Sequence, residues 1–162
     1  MQFEVFSGKC KPPGIVPIHF SPFFLSIQDL EVGQSRQETI HITNDLVKTY
    51  ISLSQDQAAV HMDTNHANLM GYEKPIVHGL LIGSGYSKIM GMFLPGSNAI
   101  LHKINFEMLY PVFVDDLLTY KVEVSRIILS VNSILLNLTA TNQNGQLVNR
   151  GSATNVFPVI TR

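Results

Sequence analysis

The stretch Gly79-Leu80-Leu81-Ile82-Gly83-Ser84-Gly85-Tyr86-Ser87-Lys88-Ile89-Met90-Gly91-Met92-Phe93 decides how the rest of the chain must fold. Its large apolar residues, from Leu80, Leu81 and Ile82 through Tyr86, Ile89 and Met90 to Met92 and Phe93, point in every helical direction. A helix of that kind is predicted to be buried. Gly83, Ser87 and Gly91 recur at intervals of four. That spacing predicts one narrow flat face, open to close approach by a strand, another backbone or an extended ligand. Glycines at 79, 83, 85 and 91 lower helix propensity by up to ~1 kcal/mol each, so tertiary packing must hold the helix together. Leu94-Pro95-Gly96-Ser97 stops it.

Strands dominate beyond that stop. Ile100 to Tyr110 runs into Pro111, which suggests a strand end or bulge. Thr119 to Ser125 alternates with Tyr120, Val122 and Val124 on one face, the pattern of a half-buried antiparallel strand. Ser133 to Thr141 alternates too, with Ile134, Leu136, Leu138 and Ala140 on one face. Asn142-Gln143-Asn144-Gly145 then leads to a strand from Leu147 to Phe157, a strong hairpin signal. On the N-terminal side, residues 34–42 approach alternation and end at Thr43-Asn44. Either residue can cap a helix whose first turn holds Asp45 and whose apolar face is Leu46, Val47, Tyr50, Ile51 and Leu53. One long buried helix with roughly five strands predicts an α+β fold, an antiparallel sheet wrapped around its helix. Residues 1–26, with Pro12, Pro13, Pro17 and Pro22 among scattered aromatics, read as an irregular arm anchored by Phe20, Phe23 and Phe24. Residues 27–162 read as one domain without internal repeats.

Composition narrows the function. The chain has 162 residues, 45% hydrophobic and 14% charged, which is globular and lightly charged, so apolar surface is available for a partner subunit. A net charge of −1 without a basic block offers no electrostatic footprint for nucleic acid. No apolar run approaches the ~20 residues that span a bilayer, so no membrane association is expected. The single cysteine, Cys10, excludes an intrachain disulfide and fits a reducing compartment. An N-terminus reading Met-Gln-Phe-Glu-Val lacks the basic region and apolar block of a signal peptide, and cytoplasm is the expected location.

Immediately before the long helix, residues 54–78 bring ionisable groups together in sequence: Ser54-Gln55-Asp56, His61-Met62-Asp63 and Pro75-Ile76-Val77-His78-Gly79. An acid and an imidazole in a loop would be followed by a helix start whose free N–H groups can receive a developing oxyanion. A spacing of five does not put Asp56 and His61 on one helical face, so the loop must converge them. Asp63 and Ser84 are read as local hydrogen-bonding groups. His19, His41 and His102 are too scattered to suggest a metal site.

The order Tyr50, Ser54-Gln55-Asp56, His61-Met62-Asp63, Ala67, Gly71-Tyr72, Pro75-Ile76-Val77-His78-Gly79 resembles the MaoC-like (R)-specific enoyl-CoA hydratases, which have the hotdog fold. Leu94-Pro95-Gly96, Phe106 and Pro111-Val112-Phe113-Val114-Asp115-Asp116 resemble that family's later blocks, and the likeness spans roughly residues 27–158. Each block alone is weak, while their order and spacing are specific. The resemblance implies a homodimer or dimer of dimers that hydrates a trans-2-enoyl thioester, carried by coenzyme A or an acyl-carrier protein, to the (R)-3-hydroxyacyl product. It implies Asp56 and His61 as the catalytic pair and the Gly79 N–H as donor to the thioester oxygen. Ser87 matches a serine near the site. With Gly83 and His78 it completes the substrate-binding candidates, although His78 before a buried helix also reads as a hydrogen-bonded structural histidine. Two departures stand out: Ala58-Ala59 where the family usually has Asn-Pro, and Gln55 where it often has Gly.

Such a hydration needs a positioned water at C3, a group to take its proton, a proton for C2 and stabilisation of enolate charge. Asp56 and His61 can clamp one water and share these transfers, with neither assigned as acid or base because coupled groups titrate as a pair. No cofactor is needed, and no metal, nicotinamide or flavin motif is present. Two rival readings are a thioesterase on the same fold, whose water attacks the carbonyl, and a non-catalytic acyl-binding or dimerisation module.

Overall fold

The computed structural model describes residues 24–158, so the arm expected over residues 1–26 lies almost entirely outside the described residues. A 3-10 turn at Ile27–Asp29 leads to β1 (Ser35–His41), α1 (Asn44–Ser54), α2 (Ala59–Met62), α3 (Thr64–Leu69) and α4 (Gly79–Met92). Four further strands follow: β2 (Ile100–Met108), β3 (Leu117–Ile128), β4 (Ser133–Thr141) and β5 (Leu147–Val156). They form one antiparallel sheet in the order β1-β3-β4-β5-β2.

Alternation in the sequence becomes one apolar face of this sheet. Leu118, Tyr120, Val122 and Val124 of β3 and Ile134, Leu136, Leu138 and Ala140 of β4 are all buried. Their register brings Val122 opposite Leu138 and Val124 opposite Leu136, so apolar pairs stack across the central strands. Between β4 and β5 the chain turns at Asn142–Gly145, closed by the Gly145 N–H donating to the Asn142 carbonyl at 2.9 Å, with Gly145 at φ 74°. That positive φ is where glycine avoids a side-chain penalty.

The sheet wraps around α4, because three different strands reach the helix. Phe106 of β2 lies against Gly83, and Tyr120 of β3 lies against Gly85. Asn149 of β5 accepts a 2.6 Å hydrogen bond from the Tyr86 hydroxyl. The Tyr120 hydroxyl donates to the Ile82 carbonyl at 3.0 Å, and the Tyr86 and Tyr120 rings meet edge to face with centroids 5.0 Å apart. An edge-to-face pair contributes about 0.5–1.5 kcal/mol beyond its buried area. Burial pushes both tyrosine hydroxyls well above their ordinary value of 10.0. This is the α+β hotdog arrangement expected from the sequence.

Several local expectations change. α4 is not buried all round: Leu80 is 67% exposed, and Ser84, Ser87, Lys88 and Gly91 are exposed as well. Gly83, Ser87 and Gly91 do not form one face. At 3.6 residues per turn a spacing of four drifts by about 40° per step, so Gly83 faces the sheet while Ser87 and Gly91 have rotated outward. In α1, Thr43 rather than Asn44 is the cap, accepting from the Leu46 N–H at 3.2 Å. Of the expected apolar face only Val47 is buried, and Leu53 is 81% exposed. The expected loop between α1 and α4 contains two short helices, α2 and α3.

Candidate active site

α1 ends at Gln55, whose backbone is left-handed at φ 58° and ψ 15°, the conformation in which helices commonly end on glycine. The Gln55 amide nitrogen Nε2 offsets part of that strain by donating to the Ser52 carbonyl at 2.7 Å. Asp56 follows, exposed, with its Oδ1 accepting from the Ala58 N–H at 3.1 Å in an Asx turn. Ala58 is the N-cap of α2 and offers no side-chain acceptor; Ala59 holds the first helical position. Those are the two places where asparagine caps best and where proline is pre-shaped for the helix. The Asn-Pro to Ala-Ala departure therefore weakens a helix of one turn that carries His61.

His61 projects from α2 and is fixed by the segment leading into α4. Its Nδ1 lies 2.7 Å from the Ile76 carbonyl oxygen. A carbonyl only accepts, so Nδ1 carries the proton, and in the neutral ring Nε2 holds the free lone pair. The Ile76 N–H in turn donates to the Val60 carbonyl, and the Val77 N–H donates to the Val112 carbonyl at 2.7 Å. His78 is 2% exposed, and its Nε2 lies 3.0 Å from the Asp56 backbone carbonyl. By the same argument its Nε2 is the protonated nitrogen. Its Nδ1 is buried and has no hydrogen-bond partner among the described residues. The His61 and His78 rings stack with centroids 3.9 Å apart, and Tyr50 lies 5.1 Å from the His78 ring.

Three residues that the sequence separates by five and seventeen positions thus come together: a ligand-capable atom from each of Asp56, His61 and His78 lies within 4.8 Å of the others. His61 and Gly79 line one cavity of about 200 Å³, bounded also by Tyr72, Met108 and Tyr110. Gly79 is the first residue of α4, so its N–H has no acceptor within the helix. Met108 of β2 covers it; a Cβ at position 79 would stand 3.3 Å from the Met108 methyl. The Met108 sulfur accepts from Asn149 Nδ2, and Asn149 also accepts from Tyr86, so one buried asparagine ties the cavity wall to α4.

The other sequence candidates lie elsewhere. Gly83 is buried against Phe106, which would sit 2.4 Å from any Cβ there, and Ser87 is exposed on the outer side of α4. Asp63 caps α3, accepting from the His66 N–H at 2.7 Å. Ser84 donates to the Leu81 carbonyl. Sequence reasoning missed Met108, Tyr110 and Asn149; only the Pro111 strand end marked that region.

Comparison with known proteins identifies the family. Residues 28–144 match the family model for the MaoC-like domain, and the chain belongs to that family. It is similar to the (R)-specific enoyl-CoA hydratase of Aeromonas caviae, 33% identical over 134 residues that cover 83% of this chain and 100% of that protein. A solved structure titled as the (R)-hydratase from A. caviae involved in PHA biosynthesis superposes with a TM-score of 0.76 at 33% identity, covering 81% of this chain and 99% of that one. The mitochondrial 3-hydroxyacyl-[acyl-carrier-protein] dehydratase of Arabidopsis thaliana is 25% identical over 150 residues, 91% of this chain and 89% of that protein.

Proposed function

We propose that this chain hydrates trans-2-enoyl thioesters, on coenzyme A or an acyl-carrier protein, reversibly to (R)-3-hydroxyacyl thioesters. The observation that carries the proposal is the convergence of Asp56 and His61, with the His61 Nε2 lone pair free, beside a helix N-terminus whose Gly79 N–H shares the His61 cavity. In this reading Asp56 and His61 clamp a water, one taking its proton as oxygen bonds to C3 and the other supplying a proton to C2. The Gly79 N–H receives the charge that develops on the thioester oxygen, and the α4 dipole adds to it. His78 fixes the loop by holding the Asp56 backbone carbonyl.

Assembly belongs to the same reading. β2 is an edge strand, with Ile100 61% exposed, and the outer stripe of α4 is open too. We infer a homodimer, or a dimer of dimers, that pairs along the β2 edge and leaves the outer stripe of α4 open, since exposed strand edges are places where chains pair. Ser87 then contacts substrate where an acyl chain runs along the outer side of α4. Gly83 serves packing. A cytoplasmic location is part of the proposal, supported by the single cysteine, and cell fractionation checks it.

Incubation with short and medium trans-2-enoyl-CoAs should show loss of the conjugated double bond and an (R)-3-hydroxyacyl product. Asp56→Asn and His61→Ala should each fold and lose at least ~100-fold in rate. The double variant should lose much less than the product of the two losses, because groups clamping one water act as a unit. Release of free thiol without hydration would replace the reading by a thioesterase, and binding without turnover would replace it by an acyl-binding module. Light scattering that gave only monomer at micromolar concentration would remove the assembly.

A further inference from the structure

The three groups gathered at the mouth of the cavity have a second chemistry. The His61 Nδ1–H and the His78 Nε2–H each donate to a backbone carbonyl, of Ile76 and Asp56 respectively. Metal-ligating histidines are oriented in this way, one ring N–H held by a carbonyl or carboxylate while the other nitrogen keeps its lone pair for the ion. Here two histidines carry that arrangement side by side, and an exposed carboxylate stands with them. The His78 Nδ1 adds an independent observation: it is a buried acceptor without a partner among the described residues, in a residue 2% exposed. An unpartnered buried lone pair is destabilising unless something occupies it.

We propose that the Asp56 carboxylate, His61 Nε2 and His78 Nδ1 form a binding site for a divalent transition metal ion of the zinc type, and that the bound ion switches the hydratase off. Two imidazoles and one carboxylate suit zinc, cobalt or nickel, whereas magnesium and calcium prefer all-oxygen sites. With metal–nitrogen bonds of about 2.0–2.1 Å, two nitrogens on one ion stand about 3.4 Å apart. A ligand-capable atom of each residue already lies within 4.8 Å of the others; to hold one ion the two rings, stacked with centroids 3.9 Å apart, turn until both ring planes contain it, and the exposed Asp56 carboxylate swings in last. The ion enters from the Asp56 side, and a water completes its four-coordinate shell. The binding site stands on geometry alone; the inhibition rests on the hydratase reading. Hydration needs one group to remove a proton and another to return one, and an ion holding the lone pairs of Asp56 and His61 leaves neither free to do so.

The full chain, stripped with a chelator and dialysed, should be titrated with zinc by calorimetry and with cobalt by visible absorption. One ion per chain is expected, with the intense d–d bands of a low-coordinate site containing nitrogen ligands. Asp56→Asn and His78→Gln should each weaken binding at least ~10-fold. Asp56 is exposed in a turn, so its variant keeps the test if the His78 variant fails to fold. Absence of saturable binding, or binding unchanged in Asp56→Asn, overturns the site. In the activity arm, chelator-treated enzyme should hydrate enoyl-CoA fully. Zinc should inhibit with the same midpoint as the calorimetric isotherm, and chelator should reverse the inhibition. Stoichiometric binding that leaves hydration unchanged or raises it overturns the switch. A stripped protein that never hydrates the substrate sinks the hydratase reading, while the isotherm still decides the metal site.

Discussion

On the side of α4 that faces the sheet, Gly83 and Gly85 are pressed under Phe106 and Tyr120, so closely that a Cβ at either would lie within 2.4 Å of a ring carbon. On the opposite side Ser84, Ser87 and Gly91 are exposed, and among the described residues nothing lies within 4 Å of where a Gly91 Cβ would stand. Small residues on one helix thus answer two different demands. Inside, glycine sets the distance between helix and sheet, and with it the position of the α4 N-terminus at Gly79. Outside, small residues leave a shallow stripe that the described residues do not cover. The inner face is decided by packing within one chain, and the outer face by whatever comes to lie on it.

The sharpest way to break this contrast is Gly85→Ala. A methyl 2.3 Å from the Tyr120 ring, in a buried setting, must displace that ring or the helix. Overpacking of this kind should lower stability by about 1–3 kcal/mol, read as a fall in denaturation midpoint. An unchanged midpoint would mean that the inner face is looser than its geometry implies. Tyr86→Phe comes next: it leaves Asn149 Oδ1 buried without its donor, for a loss of about 1–2 kcal/mol. The same tyrosines give the inner face a pH dependence. Their folded-state pKa values are raised, so their contribution is fully present below the ordinary value of 10.0 and is lost as pH rises above it, because the unfolded chain ionises first. Unfolding followed from neutral to strongly alkaline pH should show that loss, and Tyr120→Phe should reduce it.

Ser87→Leu should have the smallest effect on stability, within about 0.5 kcal/mol, as an exposed substitution. Its effect on relative kcat/KM for four- and eight-carbon substrates is expected to be larger. Each methylene excluded from burial forfeits about 0.8 kcal/mol, so the preference should move toward the shorter chain. A variant that melts much lower with unchanged length preference would place position 87 in a packed interior and remove it from substrate contact.

How much of this was legible in the sequence depended on the kind of force involved. The strands were readable because burial on one face imposes a period of two, and Ser133–Thr141 is found with those bounds. The long helix was readable by its length and terminators, but its open stripe was not. Apolar content shows that a surface avoids water without showing whether this chain or another covers it. Asp56 and His61 could be picked out by motif order, whereas the juxtaposition of His78 with them depends on a chain reversal through α2 and α3 that no periodicity records. The α2 and α3 helices escaped notice because four and six residues are too few to display a hydrophobic stripe.

The backbone around the acid also has a thermal consequence. Asp56 hangs between a left-handed Gln55 and an α2 that starts on Ala58 without a side-chain cap. Each of these weakens local order by something like 0.5–1 kcal/mol relative to the glycine and asparagine that would fit best. The sheet and the body of α4 are held by their own buried core, so the segment carrying the acid should open at temperatures where they are still closed. On warming, activity should therefore fade reversibly before the melting transition begins. Amide protons of residues 57–62 should exchange ahead of those in β3 and β4, and Gln55→Gly together with Ala58→Asn should close the interval between inactivation and melting.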